Sequence, residues 1–153
     1  MAFKSGLIGL AATILFLSPQ NTLGAPDGAI PFYCFDIAST DSSANVDCWR
    51  ADTGSKFTTV PTGLHMHVTD MYFYPNSLVT SGVARGFIGR DDGDPFPGRP
   101  SIDFLADLTQ KFHFNTPYII LNPGQSLKIR NDSSSDFAVD VFASGYLSSD
   151  VSL

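Results

Sequence analysis

Two histidines separated by a single residue, His65 and His67, are the pair with the clearest capacity for chemistry in this sequence. If residues 64–74 form a β-strand, the alternation of side chains places both imidazoles on one face of that strand. Two imidazoles at this spacing can reach one metal ion, but zinc and iron sites use at least three protein ligands. The chain offers one further histidine, His113, as the third ligand. A metal centre of His65, His67 and His113 is therefore one hypothesis.

The apolar residues at positions 64, 66 and 68 support a second interpretation of the same strand. They form its apolar side, so both histidines are predicted to lie on the opposite, solvated side. In the cupins, which are jelly rolls with a metal-binding His-x-His strand, the pair points into the barrel and a glutamate usually follows. This chain contains no glutamate, and its pair opposes the apolar side. We favour a solvated strand face, and a metal-dependent cupin-like enzyme remains the alternative.

Three aspartates around a glycine, Asp91, Asp92 and Asp94, form a second candidate site within residues 90–100. Calcium is bound by such carboxylate oxygens, but the segment lacks the spacing and the terminal bidentate glutamate of an EF-hand loop. Its prolines and its two arginines are typical of an exposed connection. We predict a solvent-exposed loop and keep a calcium loop as the alternative.

Four aromatic residues on predicted strands form a third candidate site: Tyr33, Trp49, Tyr72 and Tyr74. Aromatic rings have apolar faces, and tyrosine and tryptophan add a polar group, so such residues suit a platform for sugars or peptides. Core packing is the alternative, because the tryptophan of a sandwich domain commonly lies in the core beside a disulfide. The sequence is compatible with either arrangement.

Other classes of function find less support in the residues. The chain has no Gly-x-Ser-x-Gly motif, and neither cysteine is expected to be free as a nucleophile. The fifteen aspartates offer carboxylate pairs of the glycosidase type, but nothing singles out one pair. The nine basic residues form no cluster that would bind nucleic-acid phosphates. We predict neither a cofactor nor a nucleic-acid partner, and we do not favour an enzyme.

Residues 1–25 have the layout of a secretory signal peptide. Lys4 precedes an apolar run at residues 7–17, and cleavage is expected after Ala25. The run is shorter than the roughly 20 residues that span a bilayer, so no transmembrane anchor is predicted. The mature chain, residues 26–153, is long enough for one domain with a single core. Its eight basic residues and fifteen aspartates give a net charge of −7, and it is expected to be secreted or periplasmic.

Both cysteines lie in the mature chain, with thirteen residues between Cys34 and Cys48. An exported protein with two cysteines is expected to pair them. In the chain-entropy treatment of cross-links, closing a loop of this size stabilises the fold by about 3 kcal/mol. The bond would join the extended runs at residues 30–37 and 46–50, which a Ser/Asp/Asn-rich loop separates. Two unpaired buried thiols are the alternative.

The composition predicts an all-β domain. Every acidic residue is aspartate, which favours turns over helices, and Phe, Tyr, Val, Ile and Thr are frequent. About nine strands are predicted, at residues 30–37, 46–50, 64–74, 82–88, 102–105, 111–114, 117–121, 126–130 and 137–142. In the long third strand, the apolar residues Met71 and Phe73 indicate that the second half is buried on both faces or contains a bulge.

Residues 122–125 are predicted to form a type II turn. Pro123 fixes φ at the second position, and Gly124 accepts the positive φ that the third position requires. The strands on either side of the turn, residues 117–121 and 126–130, are therefore predicted to pair as antiparallel neighbours.

Short strands separated by turns favour a single two-sheet antiparallel β-sandwich of jelly-roll-like topology. The turns and strands over residues 61–147, including Pro61-Thr62-Gly63, Phe112-His113-Phe114 and Gly145-Tyr146-Leu147, resemble a set of poorly characterised bacterial exported β-sandwich domains. The resemblance implies this fold and an envelope or extracellular setting, and it carries over no catalytic residue. We predict a secreted, non-catalytic domain that acts by binding or assembly at or outside the cell envelope, with a protein or carbohydrate partner. The alternatives are a carbohydrate-binding module and the cupin-like enzyme.

Overall fold

Eleven β-strands and no α-helix make up the described part of the chain, in a computed structural model that describes residues 25–38, 42–75, 85–91, 101–105, 109–131 and 138–150. The strands are β1 (Ile30–Ala38), β2 (Ser42–Asn45), β3 (Asp47–Arg50), β4 (Lys56–Phe57), β5 (His65–Pro75), β6 (Arg85–Asp91), β7 (Ser101–Leu105), β8 (Gln110–His113), β9 (Ile119–Leu121), β10 (Ser126–Asn131) and β11 (Val139–Ser148). All pairs among them are antiparallel, so the predicted all-β fold is confirmed. Within the described ranges, no helix is long and apolar enough to cross a bilayer. The predicted signal peptide lies outside the described residues, except for Ala25.

The strands form a large sheet and a small sheet. The large sheet has seven strands in the order β4-β3-β1-β11-β5-β8, and β9 pairs with β5 on the same edge as β8. The small sheet has four strands in the order β2-β10-β6-β7. The three longest strands, β1, β11 and β5, lie side by side in the large sheet. They give that sheet two long faces, one on each side.

The first crossing between the two sheets lies in a segment for which the sequence predicted a loop. Residues Ser42–Asn45 form β2 instead, which pairs with β10 in the small sheet. The chain then passes through Val46 into β3 of the large sheet. The Val46 side chain is buried, and its N–H donates to the carbonyl of Leu127 at 2.8 Å. Pairing with β10 thus gives these polar residues a strand conformation that their own preferences do not favour.

The turn at residues 122–125 forms as predicted, but the strands that it joins do not pair with each other. Gly124 has φ +83°, and the N–H of Gln125 donates to the carbonyl of Asn122 at 3.0 Å, as a type II turn requires. The strand before the turn, β9, pairs with β5 in the large sheet, whereas β10 belongs to the small sheet. The backbone of Val60 bonds to both Gly124 and Gln125, so a third segment takes the hydrogen bonds beside the turn. The predicted hairpin pairing is wrong.

The core contains apolar side chains from both sheets. Met66, Phe73 and Leu147 come from the large sheet, and Leu127 and Ile129 come from the small sheet. All five are buried and belong to one cluster. Full burial of a side chain of this size contributes about 1.5–3 kcal/mol. One face of the large sheet, which we call the inner face, therefore packs in the core.

The predicted disulfide between Cys34 and Cys48 is present, with an S–S distance of 2.03 Å. The two cysteines lie directly opposite each other on β1 and β3, and both are buried. No free cysteine occurs among the residues that the structure describes. The bond joins the two strands on the inner face of the large sheet.

The strand β5 contains a bulge at Thr69. Its neighbours Val68 and Asp70 pair with consecutive residues of β11, so Thr69 is an extra residue without a partner on that strand. The core residues of β5 are at positions 66 and 68 before the bulge and at positions 71 and 73 after it. The bulge explains this change of parity, and one of the two predicted alternatives is thus confirmed.

Candidate functional site

The large sheet has a second face opposite its inner face, which we call the outer face. Directly paired residues of antiparallel strands share a face. Cys34 pairs with Ala143, which pairs with Met71, and all three belong to the core. Since side chains alternate along a strand, Tyr33 and Tyr72, which precede and follow two of these residues, lie on the outer face.

Three rows of side chains cross the outer face from strand to strand. The first row consists of Trp49, Tyr33, Ser144, Asp70 and His113. The second row consists of Asp47, Phe35, Phe142, Tyr72 and Lys111. The third row consists of Ile37, Asp140 and Tyr74. The four aromatic residues that the sequence suggested as a platform are thus brought together on one face.

The aromatic rings of the outer face contact one another and remain accessible to solvent. Tyr33 and Trp49 are stacked, with ring centroids 5.6 Å apart and an interplanar angle of 13°. Phe142 lies 4.8 Å from the ring of Phe35 and 6.0 Å from that of Tyr72. Tyr33 is 51% exposed and Phe142 is 42% exposed. Grouped exposed aromatic residues of this kind are typical of interaction surfaces.

Trp49 lies on the outer face and not in the core beside the disulfide, which was the alternative raised by the sequence. Its ring stacks on Tyr33 of β1, and the ammonium group of Lys56, on β4, lies 5.9 Å from the ring centroid. The two contacts come from the strands on either side of β3. Trp49 therefore supports Tyr33 from one side.

An open depression of about 490 Å³ lies in the middle of the outer face. Its outward-facing lining consists of Tyr33, Phe142, Tyr72, Ser144, Asp70, His113 and Lys111. Ser144 is small and stands in the first row between Tyr33 and Asp70. The depression is the space that this short side chain leaves between larger neighbours.

One end of the depression is polar, and we call Asp70, His113 and Lys111 the polar end. Nδ1 of His113 lies 2.6 Å from Oδ1 of Asp70, and the hydroxyl of Thr69 donates to Oδ2 of Asp70 at 2.7 Å. A carboxylate oxygen only accepts, so Nδ1 carries the hydrogen of that bond. The ammonium group of Lys111 lies 5.0 Å from the ring centroid of Tyr72. Hydrogen-bonding groups therefore lie beside aromatic faces in the same depression.

The three histidines of the metal hypothesis do not converge. Nδ1 of His65 lies 3.2 Å from Oδ1 of Asn122, and Nε2 of His67 lies 3.2 Å from the carbonyl oxygen of Asp150. His113 belongs to the polar end. Across the described ranges, no group of three or more His, Cys or Asp side chains is placed to hold a metal ion.

His67 is buried, so the predicted solvated strand face is wrong at this position. Its side chain is 1% exposed, and its ring stacks on that of Tyr146 with centroids 4.7 Å apart. Strands β9 and β11 flank β5 here, and the carbonyl of Asp150 accepts a hydrogen bond from Nε2. Burial lowers the pKa of His67. Within the part of the chain that the structure describes, neither its Nδ1 nor the hydroxyl of Tyr146 has a hydrogen-bond partner.

The calcium hypothesis stays a prediction. Asp91 is the last residue of β6, and its backbone is described. Asp92 and Asp94 lie outside the described residues.

His65 is half-buried, whereas His67 is buried. Of the two histidines, His65 therefore comes closer to the solvated position that the sequence predicted.

Four residues of the depression were not singled out from the sequence: Phe142, Asp70, Lys111 and the small Ser144. Phe142 had a detectable signal, because it alternates with the core residues Val141 and Ala143 and must point away from them. Asp70 and Lys111 had none, because only strand pairing brings them beside Phe142.

Comparison with protein-family models, with curated proteins and with solved structures finds no match to this chain. We therefore infer the function from the residues of the outer face.

Proposed function

We propose that this protein is an exported, non-catalytic β-sandwich domain that binds carbohydrate through the depression on its outer face. The observation that carries the proposal is the combination of three aromatic side chains, the exposed Tyr33 and Phe142 and the partly exposed Tyr72, with a polar end in one depression. Ligand sites characteristically combine apolar and aromatic walls with a few placed polar groups.

A sugar ring matches this combination because it is amphipathic. Its axial C–H groups form an apolar patch that packs against an aromatic ring, and its hydroxyls form a polar rim. In the depression, Tyr33 and Tyr72 offer ring faces, and Asp70 and His113 offer an acceptor and a donor or acceptor for hydroxyls. A purely apolar ligand would use the aromatic side chains but would leave the polar end without partners.

Binding without cleavage is supported by the number of carboxylates in the depression. Glycosidases use two carboxyl groups, roughly 5–9.5 Å apart, on either side of the bond to be broken. Asp70 is the one carboxylate among the described residues that line the depression. The other acidic residues of the outer face, Asp47 and Asp140, stand in other rows and do not line it.

We also propose the architecture of this protein and its location. Apolar side chains of both sheets in one core support a two-sheet sandwich of jelly-roll-like topology, formed by residues 26–153 as one domain. The disulfide and the signal-peptide layout of residues 1–25 support export to the periplasm or to the cell exterior.

The proposal is tested by binding to a panel of polysaccharides, measured by affinity electrophoresis and then by calorimetry on the best ligand. We expect Tyr33→Ala and Tyr72→Ala each to weaken binding by about tenfold, which corresponds to about 1.4 kcal/mol. Tyr118→Ala is the matched control, because Tyr118 is also an exposed tyrosine but stacks on Phe114 away from the outer face. Tyr118→Ala should bind as the unmodified protein does.

Two results would contradict carbohydrate binding. The first is a protein that binds no polysaccharide of a broad panel, together with outer-face variants that instead change its association with a protein partner. The second is a loss of glycan binding in Tyr118→Ala equal to that in Tyr33→Ala, since the binding surface would then lie elsewhere.

A further inference from the structure

The outer face is covered at one end and bare at the other. At the covered end, His67 and Tyr146 are stacked and fully buried, although both belong to the side of the large sheet opposite the core. The carbonyl of Asp150 accepts a hydrogen bond from Nε2 of His67, so Asp150, two residues beyond β11, lies against this end. At the other end, Ile37 and Tyr74 are 45% and 50% exposed.

The depression lies at the boundary between the covered end and the bare end. Its floor residue, Ser144, is two residues from buried Tyr146 in one direction along β11 and two residues from exposed Phe142 in the other. Residues two apart on a strand are separated by roughly 6.8 Å. A sugar ring placed over Ser144 therefore meets the covered part of the sheet within roughly 6.8 Å on one side, and exposed aromatic surface on the other.

The two sides across the strands are also occupied. Tyr33 stands on one side of Ser144 in the first row, with Trp49 stacked behind it. Asp70 stands on the other side, held by its bonds to His113 and Thr69. The direction that stays free leads along β11 and β5, over Phe142 towards Tyr74.

We infer that the depression recognises the terminal sugar residue of a glycan chain and that the rest of the chain runs over Phe142 towards Tyr74. This inference rests on the proposed carbohydrate binding and adds the part of the polymer that is bound. A site that binds the middle of a chain needs two open ends, whereas this depression has one.

The inference assigns different roles to two tyrosines. Tyr33 contacts the terminal residue, because it lines the depression. Tyr74 is four residues beyond Asp70 on β5, roughly 13 Å along the strand, which is further than a single ring over Ser144 extends. Tyr74 therefore contacts a residue further along the chain and contributes only to longer ligands.

The first test uses one polysaccharide that the protein binds, before and after partial hydrolysis into shorter chains. At equal mass of carbohydrate, recognition of chain ends predicts that the amount of protein bound rises in proportion to the number of ends. Binding to the middle of chains predicts a capacity that stays constant or falls, and that result would overturn the inference while leaving carbohydrate binding intact.

The second test compares variants on a series of oligosaccharides of the same polymer, from the monosaccharide upwards. We expect Tyr74→Ala to weaken binding of the longer members by about tenfold and to leave the monosaccharide unaffected, whereas Tyr33→Ala weakens binding of every member. Tyr118→Ala again serves as the control. Equal losses for all lengths in Tyr74→Ala would overturn the inference, and the absence of binding to any member would overturn the proposed function with it.

Discussion

Tyr33 and Trp49 stack directly opposite each other on β1 and β3, one residue away from the disulfide that joins the same two strands. The stack lies on the outer face, and the bond between Cys34 and Cys48 lies on the inner face. The disulfide therefore holds the register of the strands that carry the stack, and Trp49 supports the tyrosine that lines the depression. The disulfide in the core thus helps to fix the position of Tyr33 in the candidate binding site.

Removal of the disulfide should lower the stability of the fold. The double variant Cys34→Ser/Cys48→Ser is expected to lose about 3 kcal/mol of the free energy of unfolding, because its unfolded chain regains the entropy of an open loop. Urea unfolding followed by tryptophan fluorescence measures the loss. The single variant Cys34→Ser should leave one titratable thiol, and two free thiols in the unmodified native protein would contradict the pairing.

Substitutions along β5 should cost more stability at the buried positions, Met66 and His67, than at the partly exposed His65. Met66→Ala is expected to cost about 2–5 kcal/mol, as large-to-small changes in a core do. His67→Thr should cost more than about 1 kcal/mol, because it removes the ring that packs on Tyr146, whereas His65→Thr should cost less than that. Thermal and urea unfolding of the three variants provide the comparison. Equal, small effects of both histidine changes would mean that His67 is solvated after all.

The stability of the protein should fall on acidification through the titration of His67. Burial lowers its pKa in the folded state, so the unfolded state binds the proton more readily. The contribution of His67 is therefore complete above the unfolded pKa of about 6.5 and is lost as the pH falls from there towards the folded pKa.

Because other groups also titrate in this range, the measurement is a difference between two proteins. Urea unfolding of the unmodified protein and of His67→Gln is compared at about pH 7.5, 6.5 and 5.5, which bracket the pKa of a solvated histidine. The stability advantage of the unmodified protein should shrink as the pH is lowered. An advantage that is constant with pH would argue against a lowered pKa, and His65→Gln serves as the control for a neighbouring imidazole.

Two glycines should respond differently to replacement by alanine. At Gly145 of β11, an added Cβ would overlap the carbonyl oxygen of His67, a backbone atom that cannot move without disturbing β5. At Gly124 nothing lies near an added Cβ, and the cost arises from the positive φ alone, about 1–2 kcal/mol. We expect Gly145→Ala to be the more destabilising of the two in urea unfolding. A milder effect at Gly145 would mean that the two strands lie further apart there.

The positions of strands and of local bonds could be predicted from the sequence because they depend on neighbouring residues. The strands around Cys34, Met66 and Val141 follow from runs rich in aromatic and β-branched residues, and all three residues lie in the core. The type II turn follows from the φ requirements of Pro123 and Gly124. The disulfide follows from the presence of two cysteines in a chain whose first residues predict export.

The assembly of strands into sheets was decided only by the tertiary structure. The turn after β9 reverses the chain, but Val60 takes the hydrogen bonds beside it, and β10 pairs in the small sheet. The burial of His67 depends on β9, β11 and the carbonyl of Asp150, which are distant in sequence. Residue spacing within the turn or within β5 does not encode these long-range contacts.

In the candidate site too, the sequence determined local side-chain directions, whereas the tertiary structure determined which strands are neighbours. Alternation alone defines two faces for each strand, so the sequence determined that Tyr33 and Cys34 point in opposite directions, as do Tyr72 and Met71. It did not determine which face would be covered, because aromatic residues are common both in cores and on binding surfaces. Only the pairing of β1, β11, β5 and β8 brought the aromatic walls together with Asp70 and His113, since partners across a sheet are set by long-range register.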